Sequence, residues 1–320
     1  MRSLILGRIS KLRKVVITGG AGFIGSNLAN ELIAGNHVTI IDDLSSGAME
    51  NIVNLIKNEN VKFIRDSILD RELLNNTFGD VDIVFHLAAL SSVVRSIQDP
   101  VLANELNING TLNVLTAARE NKVKKVIFAS SAAIYGDVTA LPVKENLLPR
   151  FQSPYALTKL TGEYYCQLFC ELYGLPTVAL RYFNVYGPRQ NPKSEYSAVI
   201  PSFVASVLKD VPPTIYGDGN QTRDFVFVKD VVQANIIAAE SEATGVFNIG
   251  SGNSTTINGL ASNIISILGK NLKPVYKEKR AGEVKDSVAD ITLARSIGYK
   301  PKFNLESGLR ETIQRMGMNN

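Results

Sequence analysis

Cysteine and histidine are scarce in this sequence, with two of each in 320 residues. Cys166 and Cys170 stand four apart in a stretch that reads as helix, which suits neither a disulfide framework nor a zinc site. His37 and His86 are too few for a histidine-based centre, and His86 closes an apolar strand, so no metal is expected. Long apolar runs are missing as well. Nothing approaches the roughly 18 to 20 residues of a membrane helix, and Leu4 to Leu6 is far shorter than the apolar region of a secretory signal. A cytoplasmic protein without membrane contact is expected. Charge of one sign is also lacking outside one short stretch. Of a net +4, Arg2, Arg8, Lys11, Arg13 and Lys14 hold five positive charges, leaving about −1 for the rest. Such a body does not attract polyanions, so no nucleic-acid partner is expected. Residues 1–13 read as a frayed basic extension.

What is present is a repeating alternation. Val15 to Thr18, His37 to Asp42, Val61 to Asp66, Asp82 to Leu87, Lys125 to Ser130 and Thr177 to Tyr182 are short apolar or β-branched runs. Segments long enough for helices separate them, which predicts an α/β fold with a doubly wound parallel sheet. Helices are expected over Phe23 to Ala34, Ala103 to Asn121 and Tyr155 to Tyr173, the last opened by Ser153 as N-cap and Pro154 in the first turn. After about Gly187 the alternation breaks into proline- and glycine-punctuated pieces. Residues 14–186 are therefore read as a nucleotide-binding domain and 187–320 as mainly a smaller α/β substrate-binding region. Within the latter, 228–250 is expected to return to the sheet through a strand near Phe247 to Gly250.

The first strand runs into Gly19-Gly20-Ala21-Gly22-Phe23-Ile24-Gly25 and then directly into a helix. Glycines in that setting permit a tight turn and close backbone approach, so that a pyrophosphate can sit on the helix N-terminus. The spacing can be read as Gly20, Gly22, Gly25 or as Gly19, Gly22, Gly25, the second being that of short-chain reductases. Asp42, at the end of the second strand, is placed to accept both hydroxyls of a ribose. A carboxylate there repels a 2′-phosphate, and no arginine follows Asp42-Asp43, so the expected cofactor is NAD rather than NADP. Asp66, closing the third strand, is placed to meet the adenine.

Tyr155 and Lys159 are four apart at the start of a helix, on one face. Bringing a tyrosine from its ordinary value near 10 to neutrality takes about 4 kcal/mol, which a neighbouring ammonium and a positively charged nicotinamide can supply. Ser131 follows the fifth strand, at the carboxyl edge where open α/β sheets bind ligands. Its hydroxyl is placed to hold a substrate oxygen beside Tyr155.

With these motifs the sequence resembles the extended short-chain dehydrogenase/reductase family, and within it the UDP-hexose 4-epimerases, from Lys14 onward. Further matching pieces are His86-Leu87-Ala88-Ala89, Asn107-Ile108-Asn109-Gly110-Thr111, Ser130-Ser131-Ala132-Ala133-Ile134-Tyr135-Gly136, Arg181-Tyr182-Phe183-Asn184 and Thr222-Arg223-Asp224-Phe225. The resemblance implies a bound NAD that is regenerated in each turnover, with Tyr155 as base, Lys159 tuning it and Ser131 steadying the reacting oxygen. It also places Phe23, Ile24, Asp43, Ser67, Leu87, Ala88, Ala89, Asn107 and Tyr182 along the cofactor. On the substrate side it implies Asn184, Arg223 and Arg280 at the diphosphate, two guanidinium forks being well suited to that group. Ala198, Val199 and Ile200 would border the uracil, with Tyr216 and Glu283 also on the substrate side, and a homodimer is implied.

Within the family, 4,6-dehydratases carry an Asp-Glu pair after the active-site serine or threonine. Here those positions are Ala132 and Ala133, which argues against dehydration and against the decarboxylases. Ser287 stands where family members differ in bulk against the sugar, and its small size suggests room for a 2-acetamido group, as in the UDP-N-acetylglucosamine 4-epimerases. Ser91 occupies the place of a lysine found in some glucose-type epimerases. Two rivals remain: a uronate 4-epimerase, which would need groups for a C6 carboxylate, and a non-catalytic dinucleotide-binding protein.

Overall fold

The computed structural model describes residues 14–190, 199–279 and 284–317. Its frame is a seven-stranded sheet built from β1 (Lys14–Thr18), β2 (His37–Ile41), β3 (Val61–Ile64), β4 (Ile83–His86), β5 (Lys125–Ser131), β6 (Thr177–Tyr182) and a late strand, Gly245–Ile249. Counting the intervening short strands β7 (Asn184–Tyr186), β8 (Thr214–Tyr216), β9 (Thr222–Arg223) and β10 (Phe225–Phe227), that late strand is β11. The order is β11-β6-β5-β4-β1-β2-β3, with every neighbouring pair parallel.

Strands β4 and β6 are buried at every residue, because helices cover both faces of the sheet and leave no polar side for alternation. On one face the helices Phe23–Leu32 and Val228–Glu240 share a core with Ile17, Phe85 and Ile127. On the other, Gly110–Glu120 and Pro154–Tyr173 pack Val114, Leu115, Cys166 and Phe169 against Val16, Val84 and Phe128. The chain winds outward in both directions from β1, so a crevice opens at the carboxyl ends of β1 and β4.

Residues beyond β6 form a smaller region around a third core, where Tyr186, Ile200, Phe203, Phe225, Phe227, Leu260 and Ile264 meet. Its strands are paired ladders. β7 pairs with β10, β9 with β12 (Thr255–Thr256), and β8 with β13 (Val275–Lys277). Because β11 lies beside β6, the chain leaves the large sheet and returns to it, which hangs the small region over the sheet's carboxyl edge.

The sequence reading differs from the fold in one informative place. The helix expected over Ala103 to Asn121 is three pieces: Pro100–Asn104, a π-helical turn Glu105–Asn109, and Gly110–Glu120. The Asn107 carboxamide accepts from Leu90 N at 2.7 Å and donates to Leu90 O at 3.1 Å, as a strand partner would. Accommodating one extra residue in the turn brings Asn107 to the loop after β4. Smaller differences lie at ends. The first helix stops at Leu32 rather than Ala34 and β3 stops at Ile64, which leaves Asp66 in the following loop.

Candidate active site

The glycine loop is as tight as its sequence requires. Gly19 has φ of 70° and its absent Cβ would lie 2.6 Å from Ala88 N, while a Cβ on Gly25 would lie 2.2 Å from Gly19 O. Gly22 precedes the helix Phe23–Leu32 without any side-chain cap, so the orphan N–H groups of the first turn face the crevice. Phe23 and Ile24 are half-buried at this turn, and Leu87, Ala88 and Ala89 line up across it on the loop after β4.

Asp42 sits at the end of β2, buried, and its carboxylate accepts from Ala21 N and Leu44 N, both at 2.9 Å. Burial pushes its carboxyl above the ordinary value, opposed by the backbone N–H groups of Leu44, Ala21 and Gly22. Asp43 caps Ser45 N, and the Asp66 carboxylate accepts from Ser67 N. Uncapped N–H groups, a cradle that a Cβ would fill and a carboxylate at the second strand's end fit a dinucleotide.

Tyr155, Lys159 and Ser131 come together. Ser153 caps the helix Pro154–Tyr173 through Ala156 N at 3.2 Å, and Tyr155 N donates to Ser96 Oγ at 3.1 Å. Burial pushes the Tyr155 phenol up, and the Ser131 side chain opposes the rise. Lys159 lies one turn on, fully packed, with Nζ 5.8 Å from the centre of the Tyr155 ring and 5.0 Å from that of Phe128. Nζ donates to Ala129 O at 2.8 Å, and burial lowers the ammonium to about 8. The protein's own groups thus set Lys159 as a cation at neutral pH and leave the phenol high.

Two adjoining cavities open here, one of them reaching Ser131. One, of about 260 Å³, is lined by Val199, Ile200, Phe203 and Tyr216. The other, of about 240 Å³, is lined by Ser131, Ala132, Ala133, Phe183 and Ser287. Asn184 and Arg223 line both. Arg223 is held by its own strand and by the segment carrying Ser287, with Nη1 donating to Thr222 O at 2.7 Å and Lys285 O at 3.2 Å. Ser91 is exposed on the loop after β4. Ala198, Arg280 and Glu283, together with the basic stretch 1–13, lie outside the described residues.

Two expected cofactor residues have their polar atoms engaged elsewhere. Asn107, besides its Leu90 bonds, donates to Thr158 Oγ1 at 3.0 Å, and Thr158 bonds Tyr155 O at 2.8 Å. Asn107 therefore acts on the site by holding the loop after β4 against the tyrosine's helix. The Tyr182 hydroxyl donates to Asn235 at 2.9 Å, so only its ring and backbone are available to a ligand.

Three supports were not anticipated from sequence. Beneath Ser131, Arg181 clasps Glu163 through Nε at 2.8 Å and Nη2 at 2.7 Å, while Ser130 also bonds Glu163 and Arg181 Nη1 reaches Tyr135 at 2.7 Å. Asp224, fully buried, accepts from Ser251 N, Ser251 Oγ, Gly252 N and Ala289 N, tying β10 to the segment that carries Ser287. His86 sits between Thr18 at 2.8 Å and Thr111 at 2.9 Å, its imidazole held neutral by burial at about 3. Glu163, four residues after Lys159, and Asp224, beside Arg223, were the visible signals, since buried charges need dedicated partners.

The description of the NAD dependent epimerase/dehydratase family matches residues 15–250. A putative UDP-glucose 4-epimerase of Methanocaldococcus jannaschii is 41% identical over 309 residues, covering 96% of this chain and 99% of that one. A UDP-N-acetylglucosamine 4-epimerase of Methanobrevibacter ruminantium M1, solved in complex with UDP-N-acetylmuramic acid, superposes with a TM-score of 0.94 at 45% identity, covering 97% of this chain and 100% of that one. The UDP-glucose 4-epimerase of Thermus thermophilus, solved in complex with NAD, superposes with a TM-score of 0.87 at 37% identity, covering 95% of this chain and 99% of that one.

Proposed function

Because the chain belongs to the NAD dependent epimerase/dehydratase family and is an NAD-dependent UDP-sugar 4-epimerase, we propose that it interconverts UDP-glucose with UDP-galactose and UDP-N-acetylglucosamine with UDP-N-acetylgalactosamine. The observation that carries this reading is the pair of cavities meeting at Asn184 and Arg223. A diphosphate at that junction, gripped by a guanidinium fork, sends the hexose towards Ser131 and the nucleoside towards Val199, Ile200 and Tyr216.

The glycine turn, the uncapped start of the Phe23–Leu32 helix and Asp42 would hold NAD, with Lys159 at its nicotinamide ribose. Bound there, NAD supplies the acceptor and donor of the sugar's 4-hydride, so that inversion passes through a 4-keto sugar. The chain's own groups do the rest. Tyr155 takes the proton of the 4-hydroxyl and returns it, Ser131 holds the reacting oxygen, and the Lys159 cation favours the ionised phenol. Ala132 and Ala133 put no acid or base on the two residues after Ser131, which suits epimerisation and not dehydration.

Ser287 on the sugar-side wall leaves room for a 2-acetamido group. Leu157, Tyr164, Leu168 and Leu172 are exposed along the Pro154–Tyr173 helix, next to exposed Ile97 and Val101, and this apolar strip supports a homodimer. The enzyme is read as cytoplasmic. The test is to incubate purified protein, without added cofactor, with UDP-glucose and separately with UDP-N-acetylglucosamine. Both 4-epimers are expected, and no epimer from either sugar even with NAD supplied overturns the reading.

A further inference from the structure

The sugar-side cavity carries two charged side chains among its described lining residues, Arg223 and Asp286. Arg223 also lines the nucleoside-side cavity and so belongs to the diphosphate junction. Asp286 lines only the sugar side, beside Ser287. The same cavity is lined by apolar Ala132, Ala133, Val138, Val143 and Phe183, with Asn184 and Arg223 at the end it shares with the nucleoside-side cavity.

The position of this carboxylate is fixed. Its Oδ1 accepts from the Thr222 hydroxyl at 2.8 Å. The backbone beside it is pinned at Lys285, whose carbonyl accepts from Thr222 N at 3.1 Å and whose N–H reaches the Asp137 carboxylate at 3.1 Å. Further along, Ala289 N is tied to buried Asp224 at 3.0 Å. A charge anchored on both sides cannot swing away from an incoming anion, and a fixed repulsive group is an economical way to reject a competitor that differs by one charge.

We propose that Asp286 restricts this site to sugars without a ring carboxylate, disfavouring UDP-uronates by like-charge repulsion while leaving neutral hexoses and their 2-acetamido forms admitted. The inference rests on the epimerase reading above and deepens it by naming the residue that separates hexose from uronate substrates.

The test is calorimetric binding of UDP-glucose and UDP-glucuronate to the NAD-loaded wild type and to Asp286→Asn, with 4-epimer formation followed in parallel. The asparagine keeps shape and an acceptor for Thr222. Wild type binds UDP-glucuronate at least about tenfold more weakly than UDP-glucose, and Asp286→Asn narrows that ratio about tenfold. Asp286→Glu, which keeps the charge, preserves the bias. Equal affinities in the wild type, or an asparagine variant that shifts both nucleotides equally, overturn the proposal. Absence of epimer from UDP-glucose overturns the epimerase reading instead, and the ratio of dissociation constants still reads Asp286.

Discussion

Replacing Arg181 by methionine tests the buried support beneath Ser131, the serine proposed to hold the reacting oxygen. The Arg181 and Glu163 side chains are 6% and 3% exposed, and Glu163 takes two charge-assisted bonds from Arg181 at 2.8 and 2.7 Å. Arg181 also donates to Tyr135 at 2.7 Å and to Glu145 O at 3.0 Å, with its guanidinium 4.8 Å from the Tyr135 ring centre. Methionine fills much of the volume but leaves Glu163 with Ser130 as its one hydrogen-bond partner among the described residues. A buried charge stripped of its partner costs about 3 to 5 kcal/mol, and Arg181→Met is expected to lose that much. Because Ser130 adjoins Ser131, kcat falls too. The sequence has no tryptophan, so the assay is urea denaturation followed by circular dichroism. The double variant Arg181→Met, Glu163→Leu removes both charges and is expected to recover at least about 2 kcal/mol of the loss. A single variant that loses less than about 1 kcal/mol, or a double variant no better than the single, refutes the argument.

Burial of Lys159 weighs against the fold. Burial holds it at about 8 instead of 10.5, which costs the fold about 3 kcal/mol at pH 7. Below 8 both folded and unfolded chains carry the proton and the cost is fully present, whereas between 8 and 10.5 only the unfolded chain holds it and stability rises with pH. Lys159→Met is therefore expected to be more stable than wild type at pH 7, less so at pH 10, and nearly inactive. Denaturation at the two pH values checks this, and no gain at pH 7 contradicts it. Ser287→Tyr is expected to depress kcat/KM for N-acetylated substrates at least about tenfold more than for UDP-glucose, by filling the sugar-side wall. Equal effects remove Ser287 from that wall.

The parts of the site that were legible in sequence are those where backbone geometry leaves few choices. Gly19 and Gly25 approach other backbone too closely for a Cβ, and Tyr155 and Lys159 share a helix face by spacing alone. Asp42 lies directly after β2, which stops one residue short of the reading, and its hold on Ala21 N and Leu44 N depends on how the turn folds back. What escaped was built from contacts distant in sequence. The π turn exists because Asn107 reaches Leu90, seventeen residues away. The Asp224 hub joins Ser251 and Ala289, and Arg181 meets Glu163 across a strand and a helix. Local periodicity carries no trace of such partners, although a charged residue inside an apolar run signals that one must exist. Lys159 shows the same limit. Spacing identified the pair, but the competition between burial and charge was decided by packing around Phe128 and Ala129.

The central claim is that the Tyr155 phenol moves the proton of the sugar 4-hydroxyl. The most direct measurement is turnover of UDP-galactose to UDP-glucose by Tyr155→Phe, alongside calorimetric affinity for UDP-glucose. A proton-transfer role predicts a fall in kcat of roughly 10² to 10⁴-fold with affinity nearly unchanged. Turnover at the wild-type rate contradicts it.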